Sequence, residues 1–577
     1  MFDLVIKNGR ICDGSGKAAY TADVAVKGER IAGIGSFAQQ QSRETIDASG
    51  MTVTPGFIDP HTHVDKSILF APEMEPYLKQ GVTTAVAGNC GQSPAPLGKE
   101  VFFGSIQNFL YLEKTGGDIF QMVSHFQDRD KAEKALKEVF DIELDWDSFG
   151  SFWEKAGKLM PGGNIAPLVG YNAVRTAVMG KDCRRVAGEE ELRKIERLTE
   201  SCMEQGAFGL STGRDPNYVP GPSASDEEMI RMLRIVKRYG GIFTSHTYNV
   251  DKTGRNDRMG GYAEMMRQAE GAGIRANISH VHISGMAETE KEAALAAERT
   301  LDYFQQVERE GVDLSFDVIP DIACSDFTLP YFSFFLKGLV IMSGSRRQLA
   351  RNFRREEFRQ MVRKMVHSGK MAYFNPDQRE NDYWFSGIVV IRHDDGRFIG
   401  KSFSECAEIT GKDPLETIMD LFAEDPDMAA DFIMDDSLDC SLDILFSHPL
   451  SMPCSDGLSY PRTYNWTGNE EVPVYANATN IGFMPEYLAR FGRQNFEEAV
   501  RRASAVPAER FGIRDRGLLK AGNYADIVVL DQSRLSSHGA EWDPEGVEYV
   551  VVNGKIAVEK GRMTDRRGGR ILKPVVR

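Results

Sequence analysis

The middle of the chain alternates short β-rich runs with helical stretches, and this order constrains the fold more than any other feature. Such alternation is typical of parallel strands joined by crossover helices. Eight candidate strands can be identified, at Thr52–Ile58, Val82–Gly88, Ile165–Val169, Gly206–Leu210, Gly241–Thr244, Arg275–Ile278, Val312–Phe316 and Met452–Ser455. The pattern predicts an α/β protein whose eight strands close into a (β/α)8 TIM-like barrel, which needs about 250 residues.

Two gaps between candidate strands are too long for simple crossovers. They cover about residues 91–164 and 320–450, and each follows the carboxyl end of a strand. Because the carboxyl ends of barrel strands form the catalytic mouth, we expect both segments to be insertions that overhang the mouth.

The two ends of the chain carry further short β-runs, separated by glycines and by a tight turn at Asn553-Gly554. Neither end has enough strands to bury one face of a sheet by itself. We therefore predict a small β-sandwich domain built from both termini, residues 1–54 plus 515–577. The barrel with its insertions then occupies residues 55–514.

Composition narrows the class of protein. The 577 residues have a net charge of −15, which argues against nucleic acid or an anionic membrane as the main partner. The 8 cysteines are scattered, with no C-x-x-C pair. The start lacks a signal-peptide pattern, and the longest apolar stretch, Tyr331–Met342, is too short for a membrane span. We predict a soluble cytoplasmic protein without a nucleic-acid or membrane partner; the sequence leaves self-association into a homo-oligomer open.

Polar side chains stand where candidate strands end. His61 and His63 are two residues apart, so on a strand they share one face and can form a metal pair. Cys90, His246 and Asp456 follow the ends of three further strands. His280 does the same, and His282 shares its face as either a spare ligand or a substrate contact.

Each of these residues also has a structural explanation. Cys90 could be a small buried hydrophobe, His280 a core histidine and Asp456 a helix cap. However, six metal-compatible side chains at five strand ends converge if the strands form a barrel. Together they predict a metal site, and six ligands suit two zinc ions bridged by the thiolate.

The chain resembles the N-acyl-D-amino-acid deacylases (D-aminoacylases) of the amidohydrolase superfamily, nearly from end to end. The Gly-Asn-Cys-Gly and Gly-Leu-Ser-Thr-Gly segments are the features most specific to the deacylase branch. The matching segments are Pro55–His63, Gly88–Gly91, Gly206–Gly213, Ser455–Gly457, Pro461-Arg462, Asp515–Gly517 and Gly522–Asp526.

The resemblance implies a ligand set and a reaction. One zinc ion is bound tightly by Cys90, His246 and His280, and a second site comprises His61, His63 and Asp456 with Cys90 shared. Metal-bound hydroxide then attacks a linear amide, with Asp456 as general base and then general acid. Arg462 would hold the substrate carboxylate.

Several pocket positions depart from the family pattern. The family commonly carries histidine at Tyr171, arginine at Tyr248, lysine at His282 and histidine at Tyr460. Aromatic or neutral groups thus replace basic ones, while Arg462 is retained. We expect all five residues to contact the substrate, and we expect that substrate to be bulkier or less charged than a simple N-acetyl-D-amino acid.

The leading prediction is therefore a zinc-dependent enzyme that hydrolyses N-acyl-(D-)amino acids, small molecules, to a carboxylic acid and a free amino acid. One alternative is hydrolysis of a cyclic amide, as in hydantoinases and dihydropyrimidinases, which Cys90 and Arg462 disfavour. The other is a non-catalytic scaffold, which would be expected to have lost ligands that are all present here.

Overall fold

The computed structural model describes residues 1–37, 40–102, 126–215, 218, 220–249, 257–283, 289–320, 339, 342–367, 385, 388–432, 439–459, 478–536 and 543–575. Within these residues, no helix combines the length and apolar character needed to cross a lipid bilayer. Most of the apolar stretch 331–342 lies outside them.

The strands of the described residues fall into a terminal group at each end of the chain and a long central series. In chain order they are β1 (Phe2–Ile11), β2 (Tyr20–Lys27), β3 (Arg30–Gly35), β4 (Ser42–Asp47), β5 (Thr52–Pro55), β6 (Phe57–Thr62), β7 (Val82–Ala87), β8 (Glu100–Phe102), β9 (Phe126–Asp128), β10 (Asn164–Pro167), β11 (Val169–Gly170), β12 (Gly209–Gly213), β13 (Ile242–His246), β14 (Ala276–Ile278), β15 (Leu314–Val318), β16 (Ile388–Arg392), β17 (Ala429–Phe432), β18 (Ser451–Pro453), β19 (Ile527–Leu530), β20 (Val547–Val552), β21 (Lys555–Glu559) and β22 (Arg562–Met563).

The α-helices of the described residues lie between the central strands and in the longer connections. In chain order they are α1 (Glu75–Lys79), α2 (Arg129–Phe140), α3 (Phe149–Lys158), α4 (Tyr171–Met179), α5 (Glu189–Glu204), α6 (Asp226–Arg238), α7 (Arg258–Ala272), α8 (Glu290–Arg309), α9 (Arg346–Asn352), α10 (Glu356–His367), α11 (Phe403–Thr410), α12 (Pro414–Glu424), α13 (Asp439–Leu445), α14 (Ala478–Phe491), α15 (Phe496–Ala503) and α16 (Ala505–Phe511).

Both ends of the chain contribute to one nine-stranded sheet. Its order is β22-β21-β20-β19-β5-β1-β2-β3, with β4 paired to β1. The two ends meet where β19 runs antiparallel to β5, with Val529 opposite Val53. Alternating apolar side chains of these strands, including Leu4, Ile6, Val24, Ile527 and Val551, pack into one buried cluster.

The central strands are parallel and follow one another in chain order. β6, β7 and β10 form one sheet, and β11, β12, β13, β14, β15 and β18 form another. Only Leu168 separates β10 from β11, and its N–H donates to Ala87. At the other end of the series, Thr62, the last residue of β6, pairs in parallel with Gly457 after β18. The α/β class is confirmed, and the carboxyl ends of these strands lie together.

Several strand boundaries differ from the sequence-based prediction, and two of them have a clear physical reason. The run Thr52–Ile58 is two strands in different sheets, separated at Gly56, where a Cβ would lie 2.1 Å from the Thr83 hydroxyl. The strand predicted at Gly206–Leu210 begins only at Gly209, because Gly206 and Ala207 close the end of α5 by donating to Met203 and Cys202.

The connection between β15 and β18 has a hydrophobic cluster of its own. Leu349 of α9, Phe403 of α11 and Phe422 of α12 form this cluster together with Phe353, directly after α9, and Val390 of β16. Basic residues of α10 face α12, where Arg359 and Arg363 both pair with Glu416. Acidic residues of the same insertion therefore compensate part of its positive charge.

Candidate metal centre

The structure brings the six predicted ligands together at the carboxyl ends of the central strands. His61 belongs to β6 and His63 follows it by one residue, while His246 is the last residue of β13. Cys90, His280 and Asp456 each follow the end of another strand by two or three residues. All six side chains are buried or nearly so.

Three of these residues adopt a backbone conformation that is rare for residues other than glycine. The φ angles of Cys90, His280 and Asp456 are 54°, 33° and 52°. Each therefore lies on a sharp left-handed turn directly after its strand. Such conformations cost on the order of 1–3 kcal/mol each and cluster at functional sites, where the surrounding fold maintains them.

The first donor group surrounds the carboxylate of Asp456. Its Oδ1 lies 3.2 Å from His61 Nε2 and 3.0 Å from His63 Nε2. His61 Nε2 is also 3.3 Å from the Sγ of Cys90. One donor atom from each of these four residues lies within 4.8 Å of the other three.

The second donor group shares the same sulfur. Cys90 Sγ is 3.7 Å from His246 Nδ1 and 3.7 Å from His280 Nε2. These three atoms also lie within 4.8 Å of one another. Cys90 thus stands between two imidazole pairs, in the arrangement of a bridging ligand.

Charge interactions favour the anionic forms of Cys90 and Asp456. Burial raises the pKa of the Cys90 thiol, but the surrounding imidazoles, His61 foremost, outweigh burial and hold that pKa well below its usual value. Burial also opposes ionisation of Asp456, yet His61 and His63 lower its pKa well below the usual carboxyl range. Thiolate and carboxylate are the forms that bind metal ions.

The same charge interactions raise the pKa values of three of the imidazoles. Burial disfavours their charged form, but the anion of Cys90 and other acidic neighbours raise the pKa of His61 well above its ordinary value. Asp456 and Cys90 raise the pKa of His63 to about 9 against burial, and Asp215 and Cys90 raise that of His246 to about 10. A cation at this position would replace the protons that the cluster attracts.

Two carboxylates of the site were missed in the sequence. Asp317 Oδ1 lies 3.3 Å from His61 Nδ1, and Asp215 Oδ2 lies 3.8 Å from His246 Nε2. Both follow the same signal as the six ligands, a polar residue at or just beyond a strand's carboxyl end, in β15 and after β12. A third missed residue is Tyr218, whose ring centroid is 4.2 Å from that of His246.

The predicted substrate contacts lie in different surroundings. Tyr171 is fully buried, and its hydroxyl donates to the Glu228 carboxylate. The hydroxyl of Tyr248 lies 3.4 Å from Asp257 Oδ2. Tyr460 and Arg462 fall outside the described residues.

His282 lies beside the second donor group, with its ring centroid 6.4 Å from that of His280. Its Nε2 is 2.6 Å from an Nη1 of Arg258. Burial, Arg258 and His280 hold the pKa of His282 well below its usual value. The ring is therefore neutral and accepts a hydrogen bond at Nε2.

The donor set itself indicates which metal fits. Imidazole nitrogen, thiolate sulfur and carboxylate oxygen are the ligands of zinc, and three protein ligands are typical where zinc keeps an open position for catalysis. The structure also leaves buried polar atoms without a hydrogen bond in this cluster, among them Asp456 Oδ1. The residues present fit zinc.

Comparisons with known proteins identify the family of the chain and several similar proteins. A family model described as "Amidohydrolase family" matches residues 44–378 and 466–558. The chain is 26% identical to the D-aminoacylase of Alcaligenes xylosoxydans xylosoxydans over 99% of this chain and 97% of that protein. It is 27% identical to the N-acyl-D-glutamate deacylase of the same organism, over 99% and 96% of the two chains.

Solved structures show the same fold. The N-acyl-D-glutamate deacylase of Bordetella bronchiseptica, solved with zinc and a phosphonate mimic of the tetrahedral intermediate, superposes with a TM-score of 0.68 at 23% identity, covering 99% of each chain. The D-hydantoinase of a Thermus species is more distant, with a TM-score of 0.52 at 16% identity over 99% of each chain.

Proposed function

Because the chain belongs to the amidohydrolase family, we propose that it hydrolyses the linear amide bond of N-acyl-D-amino acids to a carboxylic acid and a free amino acid. The observation that carries this proposal is the pair of donor groups that share Cys90. Relatives that match along nearly the whole chain are deacylases of N-acyl-D-amino acids.

Zinc is the proposed cofactor. Cys90, His246 and His280 would hold one ion tightly, and His61, His63 and Asp456, with Cys90 shared, would hold a second. Bound there, zinc supplies a Lewis acid that polarises the scissile carbonyl and activates water.

Asp456 would move the proton that the reaction requires. Its carboxylate is held ionised, and its Oδ1 faces His61 and His63, so Oδ2 is the oxygen that would receive the proton from the attacking water. The same carboxyl group would then protonate the leaving nitrogen of the amide.

The substrate would be an N-acylated amino acid with a bulky or weakly charged side chain. Neutral His282 stands where the family commonly has lysine, and Tyr171, Tyr248 and Tyr460 also replace basic groups. Arg462 would grip the α-carboxylate in a two-pronged hydrogen bond.

The proposed architecture follows from the same order of elements. We infer that the central strands close into a (β/α)8 barrel, supported by the parallel pairing of Thr62 with Gly457. Residues 1–54 and 515–577 would form the β-sandwich domain, supported by the pairing of β19 with β5. Residues about 91–164 and 320–450 would be insertions over the mouth. A cytoplasmic location stays a prediction, and self-association stays open.

A substrate panel tests the function. Zinc-loaded enzyme would be assayed for release of free amine from the N-acetyl derivatives of D- and L-methionine, D- and L-phenylalanine and D-glutamate. Hydantoins and dihydrouracil would be followed by ring opening. We expect turnover of D-methionine and D-phenylalanine derivatives, with weaker turnover of D-glutamate. Turnover of only the cyclic amides would replace the proposal with the hydantoinase alternative, and metal-free inactive protein would indicate a scaffold.

A further inference from the structure

Two of the central strands supply no metal ligand but end beside one. β12 leads into Asp215, and β15 contains Asp317. Each carboxylate faces the ring nitrogen of a ligand histidine that points away from the shared sulfur.

Asp317 is fixed at both of its oxygens. The side chain is completely buried, and Oδ2 accepts a hydrogen bond of 2.5 Å from Asn277. Oδ1 accepts the backbone N–H of His280 at 2.6 Å and lies 3.3 Å from His61 Nδ1. One carboxylate therefore touches a residue of each donor group.

Asp215 is held on the other side of the centre. Its Oδ2 accepts a hydrogen bond of 2.9 Å from Asn249 and lies 3.8 Å from His246 Nε2. Its carbonyl accepts the N–H of Tyr218 at 2.8 Å, and the Tyr218 ring covers the face of His246. Asp215 thus contacts the imidazole of only one donor group.

The two carboxylates lie nearest to different ring nitrogens, Nδ1 of His61 and Nε2 of His246, and neither nitrogen makes a well-aligned hydrogen bond in this structure. An N–H directed at a carboxylate leaves the other nitrogen with its lone pair free for a metal ion. For His61 the nitrogen facing Cys90 is Nε2, at 3.3 Å, whereas for His246 it is Nδ1, at 3.7 Å.

We propose that Asp317 and Asp215 are positioning residues that make His61 bind metal through Nε2 and His246 through Nδ1. Asp317 acts on both donor groups and Asp215 on one. This inference rests on the proposed function, because it requires that the centre binds metal.

Measuring the zinc affinity of Asp215→Asn and Asp317→Asn tests whether Asp215 affects one metal site and Asp317 affects both. Chelator competition with zinc should show a 10–100-fold loss at one site for Asp215→Asn and at both sites for Asp317→Asn. The matched control is Glu264→Gln, because Glu264 pairs with Arg214, next to Asp215, without facing a ligand. Unchanged affinities in both aspartate variants, or an equal loss in Glu264→Gln, would overturn the inference.

The ring nitrogens can be observed directly. In zinc-loaded protein labelled with 15N-histidine, long-range proton–nitrogen correlation should show His61 protonated at Nδ1 and His246 at Nε2, with assignments from His61→Asn and His246→Asn. The reverse pattern at His246 would overturn the inference even if an aspartate variant fails to fold. Wild-type protein that binds no zinc would instead refute the proposed function.

Discussion

At the scale of a single residue, the first prediction concerns the carboxylate of Asp456. Asp456→Asn removes the carboxylate that would accept the proton of water, so we expect kcat to fall by about 10²–10⁴. The variant keeps the group formed by Cys90, His246 and His280, and we expect it to retain one tightly bound zinc ion. Amine release and metal analysis on the same preparation test both statements.

The control for this variant is Asp425→Asn. Asp425 is also buried, but its carboxylate accepts the backbone N–H groups of Asp394 and Asp427 within the insertion. It should leave the rate unchanged. Full activity of Asp456→Asn would rule out the role assigned to Asp456.

A glycine two residues before Cys90 carries a second prediction. Gly88 has a φ of 89°, and a Cβ there would lie 2.3 Å from the carbonyl oxygen of Leu168. Gly88→Ala should destabilise the protein more than Gly240→Ala, because Gly240 has a similar φ of 71° but open space around it. We expect about 1–2 kcal/mol for the conformation alone in Gly240→Ala.

Urea unfolding measures this difference, and zinc content shows whether the turn at Cys90 is displaced. Equal losses of stability in the two variants would mean that the contact with Leu168 relaxes without cost. The prediction for the turn fails if Gly88→Ala binds zinc as the wild type does.

The six candidate ligands could be singled out in the sequence because each stands at or just beyond the end of a recognisable strand. The left-handed backbone of Cys90, His280 and Asp456 could not, since no local pattern marks those residues as exceptions to the preference for glycine. The candidate strand ended at Phe316, two residues before the observed end of β15 at Val318, and Asp317 was not recognised as a residue at the end of that strand. Asp215 was missed because it contacts His246 only through the pairing of β12 with β13, which brings together residues that are far apart in the sequence.

At the scale of elements, the alternation of β-rich and helical segments predicted where the central strands lie. The residues at which these strands begin and end are set by tertiary packing. A β-rich run such as 52–58 predicts one strand, yet the chain divides it between two sheets at Gly56, where Thr83 approaches closely. Helix ends shift boundaries as well, as at Gly206. These contacts join residues far apart in the chain, so local sequence cannot supply them.

The helices of the insertion carry a prediction about independent packing. Phe353 is fully buried, with ring centroids 5.7 Å from Phe358 and 5.7 Å from Phe422. Phe353→Ala should cost about 3–5 kcal/mol within this cluster. Because the cluster is separate from the main core, hydrogen exchange should accelerate in α9 to α12 and not in β6 or β13.

The surface variant Ile409→Ala is the control, since Ile409 of α11 is 44% exposed. We expect its exchange pattern and its stability to match the wild type, within about 0.5 kcal/mol. If Phe353→Ala accelerates exchange equally in β6 and β13, the insertion and the central strands unfold as one unit.

At the scale of the whole molecule, a buried polar network joins the terminal sheet to the central strands. Asp526, next to β19, pairs with Arg516, and its Oδ2 accepts a hydrogen bond of 3.1 Å from Asn164 in β10. Its Oδ1 accepts the N–H of Asn553 at 2.7 Å. Because the network joins residues from the middle and the end of the chain, we expect the stability of the central strands to depend on the terminal sheet.

Removing the central carboxylate of this network tests that dependence. Asp526→Ala leaves the buried guanidinium of Arg516 without its partner, and breaking such a pair costs about 3–5 kcal/mol. The control Glu548→Ala, which removes the partner of the exposed Arg534, should cost at most about 1 kcal/mol.

Urea unfolding, followed by tryptophan fluorescence and by zinc release, measures the stability of both variants. If the strands of the metal centre depend on the terminal sheet, zinc should be released at the lowered midpoint of Asp526→Ala; release at the wild-type urea concentration would show that the two parts unfold separately.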